Sequence, residues 1–209
     1  MKRAWLVGWI LAAGIGARAQ ECRPGVQLLT VYIPGAKATV RNEVLSRAKR
    51  MATMVLAGAG VTVEWLEGEP PSDRQQTYCG ERLIIAFDAK APARFSTRAV
   101  AYSDLTAGSE TAIHCFYDRV SHFRDHHRMP EYLGGLLAHE IAHVLQGVAR
   151  HSIVGVMKAQ WTDHDFDELV HGRLPFTAED VRLIRSHFST RAVPVAGAVA
   201  SVAANDGRM

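Results

Sequence analysis

The segment His139-Glu140-Ile141-Ala142-His143 carries the strongest chemical signal in the chain. Residues four apart project from one face of a helix, so two imidazoles placed this way can close on one ion. A carboxylate beside them can accept a proton from a metal-activated water. The pattern predicts one zinc ion, with His139 and His143 as ligands and Glu140 as general base. Histidine is also unevenly spread. Of ten, all but His187 fall between His114 and His171. A zinc ion that does chemistry takes three protein ligands and keeps one position open. His151 is the first candidate for the third, because Gly147 should end the helix and let the chain turn back. Asp163, His164, Asp165, Asp167, Glu168 and His171 are its rivals, and Glu168 is the serious one. His114, His122, His126 and His127 read as surface or structural residues.

The elements that must position these groups are visible in the periodicity. Val26 to Ile33 reads as a strand ending at Pro34-Gly35. Thr39 to Ala57 carries a helical stripe of apolar residues, stopped by Gly58 and Gly60. Strands follow at Val61–Leu66, Arg82–Phe87, Arg98–Ser103 and Thr111–Tyr117. Glu131 to Gly147 is the helix that holds the histidines. In it Tyr132, Leu136, His139 and His143 form one stripe, while Leu133, Leu137, Ile141, Val144 and Leu145 supply packing. His151 to Arg173 reads as irregular, its acidic run as a solvated loop. Thr177 to Phe188 is a closing helix, with Thr177 and Asp180 spaced as a capping box. This order predicts one α+β domain over residues 20–188. It would hold a mixed, twisted sheet of about five strands with helices packed on it. Residues 189–209 read as a disordered tail rich in Ala and Val.

Composition narrows the function classes. At 48% hydrophobic and 22% charged residues, a disordered or collagen-like chain is excluded. The net charge of +3 comes from the first nineteen residues, which hold Lys2, Arg3 and Arg18 and no acid. Without them 21 basic residues face 21 acidic ones, and a balanced body gives no footprint for nucleic acid. Those nineteen residues read as a signal peptide. A basic start is followed by an apolar run from Ala4 to Ala17 and by Ala17-Arg18-Ala19, a peptidase site. The run is short of the roughly 20 residues a membrane span needs. The expectation is an exported, periplasmic or extracellular protein beginning at Gln20, a monomer with no stable membrane anchor. Export permits disulfides. Of Cys22, Cys79 and Cys115, the last two are the preferred pair, since one precedes a predicted strand and the other lies within one.

Taken together, His139-Glu140-x-x-His143, His151-Ser152 and Gly155-Val156-Met157 resemble the metzincin zinc peptidases. Leu136–Leu145 and Gly155–Trp161 are similar to segments of a group of exported bacterial proteins of that kind. The resemblance implies a metzincin-like catalytic domain with a long N-terminal helix, an active-site helix and a C-terminal helix. It implies a zinc endopeptidase acting on a peptide or protein substrate. His151 would be the third ligand and Met157 the turn lying under the metal. The spacing departs from the usual one. Gln146 and Ala149 stand where that family has its Gly and third His, so Gly147 and His151 serve only with a connection two residues longer. By the same resemblance Arg98–Ser103 is the edge strand that pairs with substrate, with Arg98, Val100 and Tyr102 as contacts. Lys158 to Trp161 would wall the pocket beyond the cut bond. Two alternatives stand beside this one: an exported zinc-binding module without catalysis, and a gluzincin-like peptidase using Glu168.

Overall fold

The computed structural model describes residues 26–71, 80–96, 99–104, 111–122, 125 and 127–191. Within them β1 (Gln27–Ile33) starts the sheet, followed by a short turn of helix, α1 (Ala36–Thr39), and by α2 (Asn42–Ala57). β2 (Val61–Glu67), β3 (Glu81–Asp88), β4 (Ala101–Asp104) and β5 (Ala112–Phe116) complete the strands. Then come α3 (Tyr117–Val120), α4 (Met129–Gln146), α5 (Asp163–Val170) and α6 (Ala178–Arg191). The sheet order is β2-β1-β3-β5-β4. β1 pairs in parallel with β2 and β3, β3 in parallel with β5, and only β4 runs antiparallel, along the outer side of β5. This is the expected α+β architecture with a five-stranded mixed sheet.

The apolar pattern explains the layers. β3 alternates strictly, burying Leu83, Ile85 and Phe87. α2 buries Val44, Leu45, Ala48, Met51, Ala52, Val55 and Leu56, the spacing of one helix face. α4 is buried over most of its surface, so it runs through the core. The two helices share one apolar cluster with Leu29, Val31, Leu83, Ile85 and Ile113 of the sheet. Arg47 and Glu131 tie their polar ends together at 2.6 Å. Among the described residues no helix is long and apolar enough to cross a membrane.

Four local expectations are corrected. The helix expected from Thr39 is broken at Val40, which takes an extended backbone and buries its side chain before α2 begins. The strand expected through Tyr117 ends at Phe116 and passes directly into α3. The segment read as irregular contains α5. Thr162 and Asp165 form a complete capping box there, two acids occupy the first turn, and Phe166 and Leu169 bury one face. The acidic run is therefore a helix start, where carboxylates meet free N–H groups. Ser189 to Arg191, expected to belong to the tail, are part of α6. The leader, Cys22 and residues 192–209 lie outside the described residues.

Candidate metal centre

α4 begins with Pro130 in its first turn and ends at Gly147, whose φ of 65° closes the helix with bonds to His143 O and Val144 O. Those limits put His139 and His143 one turn apart near its end. The imidazole Nδ1 of His139 donates to Val156 O at 2.9 Å, and that of His143 to Val148 O at 3.4 Å. A carbonyl oxygen only accepts, so both Nδ1 atoms carry the hydrogen. Burial pushes the His139 pKa down to about 4, and burial also lowers that of His143. Both rings are then neutral near pH 7, and each Nε2 presents a bare lone pair. The two Nε2 atoms face each other at 3.0 Å.

His151 completes the group. Its ring lies 5.3 Å from that of His139 and 4.9 Å from that of His143, between centroids. The ligating nitrogens of the three all lie within 4.8 Å of one another. Two nitrogens on one tetrahedral zinc at about 2.0–2.1 Å stand roughly 3.3 Å apart, close to the separation seen. Facing lone pairs repel unless an electrophile sits between them. The donor set therefore fits a divalent metal of the zinc type.

The loop that delivers His151 is fastened on both sides. Ser152 N donates to Met157 O at 2.8 Å, and Val156 N to Pro175 O at 2.9 Å. Gly155 makes this turn possible. Its φ is +79°, and a Cβ there would meet Pro175 O at 2.2 Å. Met157 is fully buried at the end of the turn. Val156 O also accepts from the Trp161 indole at 3.1 Å, so one carbonyl orients both a candidate ligand and a neighbouring aromatic wall. Asp180, wholly buried at the start of α6, accepts from Ser152 Oγ at 2.9 Å and pairs with Arg150 at 3.0 Å. The same carboxylate closes the expected capping box with Thr177.

No protein-family model matches the chain, and no curated protein matches it. Solved structures similar to it include the following two. Archaemetzincin from Methanopyrus kandleri aligns at 13% identity with a TM-score of 0.46, over 80% of this chain and 98% of that one. Metalloproteinase-II from Bacteroides fragilis aligns at 12% identity with the same TM-score, over 80% of this chain and 55% of that one. Likeness at this level carries no weight for function, which rests on the residues themselves.

Glu140 is largely buried, and burial raises its pKa to about 7, against a lowering by the hydrogen bond from Ser103 Oγ at 3.2 Å. It opens, with His139 and His151, on a cleft of about 470 Å³. Tyr132, Leu136 and Trp161 give that cleft an apolar wall, and Lys158 stands in its lining. Val100 and Ala101 face it from the β4 side.

The expected substrate contacts divide. Val100 and Trp161 line the cleft, whereas Tyr102 does not. Tyr102 stacks on His114 at 4.7 Å and on Phe95 at 4.5 Å, on the other side of the sheet from Ser103. Successive strand residues point to opposite faces, so Ala101 and Ser103 hold the places assigned by expectation to Tyr102. β4 does lie at the sheet edge, over Ala101–Asp104 rather than 98–103. Arg98 and Cys79 lie outside the described residues, and Cys115 is a buried free thiol. Glu168 stands apart from the histidines and grips Arg173 at 2.8 Å. Asp163, Asp165 and Asp167 lie on α5, Asp165 paired with Lys158 and Asp167 with Arg128. The place of Ser103 beside Glu140 and the bonds from Arg150 and Ser152 to Asp180 Oδ1 escaped sequence reasoning. β4 alternates, but nothing in its sequence marks which parity faces the helices. The bonds to Asp180 carry no spacing signal, since their donors lie far from it in the chain.

Proposed function

We propose that this chain is an exported zinc-dependent endopeptidase with His139, His143 and His151 as metal ligands and Glu140 as general base. The observation that carries the reading is the pair of bare Nε2 atoms at 3.0 Å, completed by His151, with the Glu140 carboxyl opening on the same cleft. A zinc ion held there supplies Lewis acidity, acidifying water and polarising an amide carbonyl. Glu140 takes the proton from the attacking water and hands it to the departing amine. In the metal-free site burial raises its pKa to about 7, and a base poised near the working pH both accepts and returns a proton. Ser103 holds one carboxylate oxygen, leaving the other for the water. The edge of β4 runs beside the cleft and offers main-chain groups to an extended peptide. Met157 would form an apolar floor below the imidazoles. Export rests on the basic and apolar leader and the Ala17-Arg18-Ala19 site.

The test is metal analysis of purified protein together with cleavage of a broad peptide library, with and without a chelator. Glu140→Gln should retain zinc at wild-type stoichiometry and lose about 10²–10⁴ in rate. Unchanged turnover would refute the assigned base. Bound zinc with no cleavage in the wild type would leave a zinc-binding module.

A further inference from the structure

We propose that Asp180 is the positioning residue for the third metal ligand, holding His151 in place across the longer connection from α4. The proposal rests on the reading that the three histidines bind a metal. His139 and His143 are anchored by helix geometry and by their Nδ1 bonds to backbone carbonyls. Among the described residues no hydrogen bond holds the His151 ring, which is exposed on a loop. Its two neighbours in the chain are held instead. Arg150 Nη2 reaches Asp180 Oδ1 at 3.0 Å, and Ser152 Oγ lies 2.9 Å from Oδ1 and 3.1 Å from Oδ2. Arg150 Nη1 also donates to Ser152 Oγ at 3.1 Å. Gln146, the last residue of α4, reaches Oδ1 at 3.4 Å.

The two carboxylate oxygens divide the work. Oδ2 takes the Thr177 backbone N–H at 2.9 Å and hydroxyl at 2.7 Å, which is all a helix cap needs. Oδ1 is surplus to the cap, and its donors come from Gln146 at the end of α4 and from Arg150 and Ser152 beyond it, Ser152 also lying near Oδ2. A buried carboxylate bonded to both residues flanking His151 fixes the backbone on either side of the imidazole. This tether holds in place a ligand that lies beyond the end of α4 and whose own ring is exposed.

The experiment measures zinc affinity of the full chain by competition with a chromophoric chelator, and the visible spectrum of the cobalt(II)-substituted protein. Ser152→Ala removes a donor to Asp180 without touching the Thr177 cap. Asp180→Asn removes the charge that Arg150 pairs with, and Thr177→Ala removes only the cap. Loss of a group that orients a ligand typically weakens metal binding about 10–100-fold. That loss, with a changed cobalt spectrum, is expected for Ser152→Ala and Asp180→Asn, and Ser152→Thr should restore affinity. Thr177→Ala should lower the melting temperature of chelated protein while zinc affinity stays near wild type. If Ser152→Ala folds and binds zinc as tightly as wild type while His151→Ala loses it, the positioning role is overturned and the metal site stands. If the wild type takes up no zinc, or His151→Ala binds it equally well, the metal reading fails and the proposal falls with it.

Discussion

Gly134 packs α4 tightly against α2, and replacing it with Ala tests how closely the histidine-bearing helix is held. A Cβ there would lie 2.5 Å from Met51 Cβ and 2.6 Å from the Ala48 carbonyl oxygen. Comfortable contact between carbons is about 3.5–4.0 Å, so the helices must separate by roughly 1 Å. Neither atom can swing aside, because one is backbone and the other is fixed to it. Gly→Ala in a helix interior gains about 1 kcal/mol from propensity. Overpacking a core costs about 1–3 kcal/mol, and the immobile neighbours put this site at the upper end. The net loss is then about 1–2 kcal/mol, a fall in melting temperature of roughly 2–8 °C for a domain of this size. Gly135→Ala is the control. Its Cβ would meet Leu169 Cδ2 at 2.4 Å and the Trp161 ring at 2.8 Å, both outer atoms of side chains. It should lose less stability and disturb the cleft more. Thermal unfolding in excess chelator isolates the packing effect from metal binding. A Gly134→Ala protein that melts at or above the wild-type temperature would refute the argument.

Further outcomes follow from the site. His151→Ala should lose zinc on dialysis against a mild chelator while Glu168→Ala keeps it, because Glu168 is engaged with Arg173 away from the cluster; the opposite result would reassign the third ligand. Gly155→Ala should destabilise the fold by about 1–3 kcal/mol and weaken zinc retention, as its Cβ would strike Pro175 O at positive φ; an unchanged melting temperature would contradict this. In chelated protein, His139 titrates at about 4 when folded and 6.5 when unfolded. Above 6.5 it contributes nothing; below it the unfolded chain binds the proton first, so stability falls until about pH 4. Glu140, raised to about 7 from 4.5, acts oppositely, stabilising the fold as pH falls through that window. Denaturant midpoints should therefore decline more steeply below pH 6.5 in Glu140→Gln than in wild type, and parallel profiles would refute the assignment.

The histidine helix was legible because two periods agree in it, the four-residue ligand spacing and the apolar stripe that buries the same element. Thr177 and Asp180 were legible as a cap for a similar reason, since a polar pair three apart precedes an apolar helix. What escaped was whatever depends on tertiary partners. α5 was hidden because the surrounding acids resemble a solvated loop and only Phe166 and Leu169 are buried behind the Thr162–Asp165 box, too short an apolar stripe to mark a helix. Ser103 was hidden because a short strand carries no mark of which parity faces the helices, and a shift of one residue exchanges Tyr102 for Ser103. The second role of Asp180 is invisible in principle from spacing, since Gln146, Arg150 and Ser152 lie far from it in the chain. His151 shows the converse. Its residue type and the glycine before it pointed correctly to the cluster despite an unfamiliar spacing.

The Val156 carbonyl accepts two hydrogens, one from the His139 imidazole and one from the Trp161 indole. The first belongs to a candidate metal ligand and the second to the wall of the cleft. A guest that displaces the indole changes the acceptor on which His139 depends, and an ion that pulls His139 changes the acceptor on which the indole depends. Occupation of the cleft and occupation of the metal site are then linked equilibria, each altering the affinity of the other by one common factor. A zinc affinity measured with peptide present is accordingly a property of the ternary system.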